Sequence, residues 1–161
     1  MKQLHFSFMA IFFALFAMVS FTACSSSDDD VPTTEVIKAN IVGMWQTTHV
    51  SGWTYDDTEY ENLTKINQDI ADKSELAERM LFKGDGTCYR YCYSTYLDRW
   101  LLVSNNYTYD ISGDRIIVYN KTSVEQTYTV LSLKDDVVAL QYCMEEGEEY
   151  KTTITCKRVN Y

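Results

Sequence analysis

The chain has 161 residues, with 14 Lys and Arg against 23 Asp and Glu, for a formal charge of −9. That balance argues against nucleic acid as a partner, because phosphate binding depends on clustered Lys and Arg. There is no Cys-x-x-Cys pair and there are only 2 histidines, so the spacing of a zinc site is absent.

The first element is an apolar run from Phe6 to Phe21, preceded by Lys2 and followed by Thr22-Ala23-Cys24. That order predicts a secretory signal over residues 1–23 rather than a membrane-spanning helix, which needs ~20 apolar residues. Thr-Ala-Cys resembles the lipobox of bacterial lipoproteins. The resemblance implies that Cys24 becomes the lipid-modified first residue of the mature chain. Several acyl chains anchor firmly, since each buried CH₂ contributes roughly 0.8 kcal/mol. The mature chain would then hold 138 residues and a formal charge of −10, enough for one domain with a real core.

Residues 24–34 open with Ser25-Ser26-Ser27-Asp28-Asp29-Asp30 and offer almost no apolar surface, which predicts a disordered tether. An acidic run behind the cysteine resembles the export signal of surface lipoproteins in Bacteroidetes-type bacteria. The expected location is therefore the outer membrane, lipid-anchored and facing the cell surface, with its periplasmic face as the alternative.

From residue 35 onward a single domain is expected. Glu35 to Val42 predicts a short helix with Val36, Ile37 and Ile41 on its apolar side, placed as a stopper. Met44 to Thr54 predicts a first strand. Asn62 to Arg79 carries Leu63, Ile66, Ile70 and Ala77 near helical spacing without Gly or Pro, which predicts a helical insertion that caps or flanks the fold. Seven further strands are predicted at Met80–Lys83, Thr87–Tyr96, Tyr107–Ser112, Arg115–Asn120, Gln126–Leu133, Val137–Met144 and Tyr150–Val159, separated by Gly- and Asp-containing turns. Tyr96 to Asn106 extends a strand or forms a loop. Eight short antiparallel strands bury their edges best by closing, so the expected class is all-β, an up-and-down barrel.

Ile41-Val42-Gly43-Met44-Trp45 resembles the Gly-x-Trp signature on the first strand of lipocalins. Phe82-Lys83-Gly84-Asp85-Gly86-Thr87, Tyr109-Asp110-Ile111-Ser112-Gly113-Asp114-Arg115-Ile116 and Tyr128-Thr129-Val130-Leu131-Ser132-Leu133 look like the lipocalin-like lipoproteins of Bacteroidetes. The resemblance implies an eight-stranded lipocalin-like barrel whose closed end is crossed by Trp45, packed on an arginine near the last strand. Arg158 occupies the matching place, although the neighbouring Lys157 leaves open which of the two faces inward.

Chemistry-bearing residues are few. Thirteen tyrosines include Tyr89, Tyr91 and Tyr93 on one strand face, and Tyr107 and Tyr109 on another. Facing inward, they would line a site for a small apolar or amphipathic ligand. Facing outward, they would form a protein- or glycan-binding surface, and a third reading has them simply filling the interior. Cys88 and Cys92 lie roughly 13 Å apart along a strand, too far to bridge locally. Together with Cys143 and Cys156 they are expected as free thiols unless the final hairpin registers otherwise. The acidic clusters 56–61 and 145–149 lack the spacing of a calcium loop and read as solvated turns. No catalytic constellation, cofactor or metal site is expected. The function implied is a lipid-anchored binding protein of the cell envelope, the alternative being a filled-barrel interaction protein.

Overall fold

A computed structural model describes residues 31–55, 62–144 and 149–160. The signal, Cys24, the Ser/Asp tract and most of both acidic clusters lie outside these residues. Helix α1 (Thr34–Asn40) is capped by Thr33, whose side-chain oxygen accepts from the Val36 N–H at 3.4 Å. Ile37 and Ile41 are fully buried, whereas Val36 is exposed. A helix this short is marginal alone, so burial of those two isoleucines is what holds it.

Nine strands follow: β1 (Gly43–Tyr55), β2 (Leu63–Asp69), β3 (Glu78–Phe82), β4 (Thr87–Ser94), β5 (Arg99–Ser112), β6 (Arg115–Asn120), β7 (Ser123–Lys134), β8 (Val137–Cys143) and β9 (Lys151–Val159). All neighbours pair antiparallel, and β9 returns to β1 to close the sheet. β2 and β3 share one edge of β1: β3 pairs its first residues, Gly43 to Gln46, and β2 its last, His49 to Tyr55. The nine strands therefore occupy eight positions around a closed barrel.

The expected helical insertion between the first two strands is not present. Its residues form β2, an excursion over Ile70–Ala77 and the start of β3. The reason is non-local. β1 runs for 13 residues while β3 covers only its start, so without β2 the N–H and C=O groups of its far half would lack partners on that edge. The apolar residues that suggested one helical face are divided instead. Leu63 and Ile66 lie half-buried in the strand, and Ile70 and Ala77 pack with Tyr93 in a small cluster of their own. The uncertain 96–106 stretch becomes a tight turn and the first half of β5.

The main core lies inside the barrel. Trp45, Phe82, Cys88, Ile116, Val130, Val138, Leu140 and Cys156 are fully buried there, with Ile37 and Ile41 of α1. Alternation along each strand sets the phase: Met80 and Phe82 on β3 face in, as do Cys88 on β4, Ile116 and Val118 on β6, and Tyr128 and Val130 on β7.

Candidate functional site

The helix closes one end of the barrel, and the chemistry of that end explains the Gly-x-Trp sequence. Trp45 is fully buried and donates from Nε1 to the Ile41 carbonyl at 2.7 Å. Its backbone partner across the sheet is Arg158, whose guanidinium carbon lies 4.3 Å from the indole centroid. Arg158 also donates to the carbonyls of Val42 and Asn40, both at 2.6 Å, and to Asp136 at 2.9 Å. Gly43 has φ +138°, and a Cβ there would lie 2.4 Å from Arg158 Nη1. Only glycine gives both that backbone and that space. Thr34 adds a tie from α1 to the Gly113 carbonyl at 2.9 Å.

The opposite end receives the last residues of β1, β4, β6 and β8. Here the interior face is reachable by solvent, in contrast to the sealed half below. Glu78, in phase with Met80 and Phe82, has half of its side chain exposed, and Arg90, in phase with Cys88, has 31 % exposed. The two meet at 3.5 Å. Around them lie the rings of Tyr107, Tyr128 and Tyr142, and Tyr107 donates to Glu125 at 3.3 Å. Tyr128 and Tyr142 pack edge to face with centroids 5.7 Å apart. Burial pushes both of their hydroxyls above the ordinary tyrosine range. Burial is the largest influence on Arg90 and would lower it, but the Glu78 carboxylate together with the Tyr128 and Tyr107 hydroxyls outweighs it and keeps the guanidinium charged.

The expected tyrosines divide between the two surfaces. Tyr107 and Tyr109 share the interior face of β5 with Ile111, and Tyr109 donates to the Lys83 carbonyl at 2.8 Å while packing edge-on against Phe82. Tyr89, Tyr91 and Tyr93 do share one face of β4, and it is the outer one. Tyr89 lies beside Lys83, Tyr91 lines a surface pocket of about 230 Å³ with Met44, Arg79, Trp100 and Asn160, and Tyr93 is covered by the 70–77 excursion. Arg79 stacks on Trp100 at 4.0 Å and donates to Gln46, which in turn donates to Asp72 of the excursion.

Cys88 and Cys156 sit in the core, where burial pushes their thiols up to about 12; Cys92 is half-buried and Cys143 exposed. All four are free. Cys143 pairs with Lys151 and Cys156 with Val138, so the final hairpin places its two cysteines at opposite ends. Among the described residues no three His, Cys, Asp or Glu side chains gather as metal ligands.

Sequence reasoning missed Glu78, Arg90, Tyr128 and Tyr142. The signal was the phase of β4: once Cys88 is placed inward, Arg90 two residues on must follow it.

A comparison with curated proteins finds no match. A solved structure described as that of the major allergen Per a 4 from cockroaches is 11 % identical, with a TM-score of 0.46, covering 72 % of this chain and 64 % of that one. The model of the lipocalin-like domain matches residues 41–137, from the residues before Gly-x-Trp to the start of β8. That span holds most of the barrel and more than half of the sequence, and the chain belongs to the lipocalin-like domain family.

Proposed function

We propose that this protein is a lipid-anchored, cell-envelope binding protein that holds a small apolar or amphipathic molecule inside its barrel. Lipocalin-like domains bind small molecules rather than catalyse, and the observation that carries the reading here is the contrast within the interior. One half is sealed by side chains with no exposure, while Glu78 and Arg90 face the same interior and remain open to solvent. An apolar interior with a few solvent-reachable polar groups suits an amphipathic guest. Native mass spectrometry of the protein purified from its own host tests this. A co-purifying small molecule is expected, and its absence together with no uptake of apolar probes would remove the interior site.

The anchor at Cys24 and display at the outer membrane rest on the sequence. Protease treatment of intact cells should remove the protein along with a known surface protein; survival would favour the periplasmic face. A second reading has its own support on the outer face. The pocket at Met44, Tyr91 and Trp100 is apolar, and Leu102 is exposed opposite Tyr91 across the β4–β5 pair. Contact with a protein or glycan there would be lost in Trp100→Ala with the interior site unchanged.

A further inference from the structure

We propose that the guest carries an anionic group, a carboxylate or its equivalent, and that Arg90 on β4 receives it. This rests on the interior being the ligand site and adds the chemistry of what it selects.

The case begins with unequal satisfaction of two charges. A guanidinium has five N–H donors in a planar fork. Among the described residues, Arg90 engages Glu78 through one nitrogen, at 3.5 Å, the limit of a hydrogen bond. Arg90 shares the inward phase of Cys88 and lies beside Tyr107 and Tyr128. Glu78 stands at the first residue of β3, half exposed, where water can hydrate it. Arg90 is the less hydrated of the two, with 31 % exposed. A half-buried cation with a long single contact gains more from a new acceptor than a hydrated carboxylate gains from a new donor.

The geometry also gives the acid a place to go. β3 and β4 pair from Phe82 opposite Cys88 to Glu78 opposite Cys92, so Glu78 ends that ladder and Arg90 stands two pairs in, opposite Met80. A carboxylate entering past the half-exposed Glu78 meets the guanidinium in its place as Glu78 swings into solvent. The fork accepts two oxygens in parallel, as a planar carboxylate presents them. The apolar remainder of the molecule lies against the surrounding rings.

Calorimetric titration of the full chain with decanoate and with decanol, near neutral pH, tests this. The two share one apolar chain and differ in charge. Decanoate should bind at least roughly tenfold more tightly, the equivalent of about 1.4 kcal/mol for a charge-assisted contact. Arg90→Met should bring the two to equal affinity. Arg90→Lys should keep part of the preference, because it retains charge and loses the fork. Glu78→Gln should tighten decanoate by removing its competitor. Equal binding of the two compounds by the unaltered protein would overturn the anion preference and leave the interior site standing. Binding of neither would overturn both. Because the first comparison uses the unaltered protein, misfolding of a variant cannot mask the result.

Discussion

Trp45 shows how much one side chain can decide at the closed end. Its ring is enclosed by α1, β1 and the Arg158 guanidinium, and its single polar atom is satisfied by Ile41. Trp45→Ala should cost about 3–5 kcal/mol in denaturant unfolding, the range for a large buried aromatic; a near-neutral effect would show that the end is held otherwise. Asp85 governs the turn before β4 differently. It accepts from the Thr87 backbone at 3.0 Å and from the Thr87 hydroxyl, and pairs with Lys83 at 3.2 Å. Those hydrogen bonds hold its carboxyl at about 2, below the ordinary 3.8. A depressed carboxylate stabilises fully above its unfolded value and loses that contribution as pH falls through the folded one. Asp85→Asn should therefore be the less stable protein near neutrality, with the difference shrinking as pH falls from about 4 to 2. A difference independent of pH would assign it to turn geometry alone. The thiols give a third test. With Cys88 and Cys156 raised to about 12 and buried, alkylation of the native protein should modify Cys143 first and spare those two until unfolding. Peptide mass mapping reads the order, and early labelling of Cys88 would mean the core opens locally.

Among the elements, β2 carries the largest departure from sequence expectation. Among the described residues it pairs with β1 alone and carries side chains that are exposed or half-buried, so its backbone bonds to β1 are its main support. An edge strand in this position protects every second amide. Hydrogen exchange should show alternating protection over 63–69, whereas a helix would protect consecutive amides. The excursion that follows is held from several sides. Thr95 donates to Glu75 at 2.5 Å, Lys73 pairs with Asp98 at 3.3 Å, Tyr93 donates to the same Asp98, and Ile70 and Ala77 pack on Tyr93. Val50 contacts both this cluster and the main core, joining the two where β2 and β3 part.

At the scale of the whole molecule, the closed end and the open end divide the work. α1 seals one, and the site proposed for an anionic guest lies toward the other. The lipid proposed at Cys24 precedes the described chain, which enters α1 through the Thr33 cap. Cys24→Ser should move the protein from the membrane to the soluble fraction with its unfolding curve unchanged; a shifted curve would mean that the N-terminal segment contributes to the fold.

The strands, the short helix and the closed all-β class were legible in the chain, because each rests on local alternation, turn chemistry and the need to cover sheet edges. Eight strands were legible, seven of them within three residues of their ends, while the first eight residues of β5 fell in the undecided 96–106 stretch. Gly43-Met44-Trp45 also pointed to the family. Phase and partnership came from long-range pairing. Alternation says that Tyr89, Tyr91 and Tyr93 share a face, and only the pairing of Cys88 opposite Phe82 turns that face outward and brings Arg90 in. Periodicity made 62–79 look helical because propensity belongs to the segment alone, whereas the edge that recruits β2 belongs to the preceding strand β1, left uncovered where its pairing with β3 stops at Gln46.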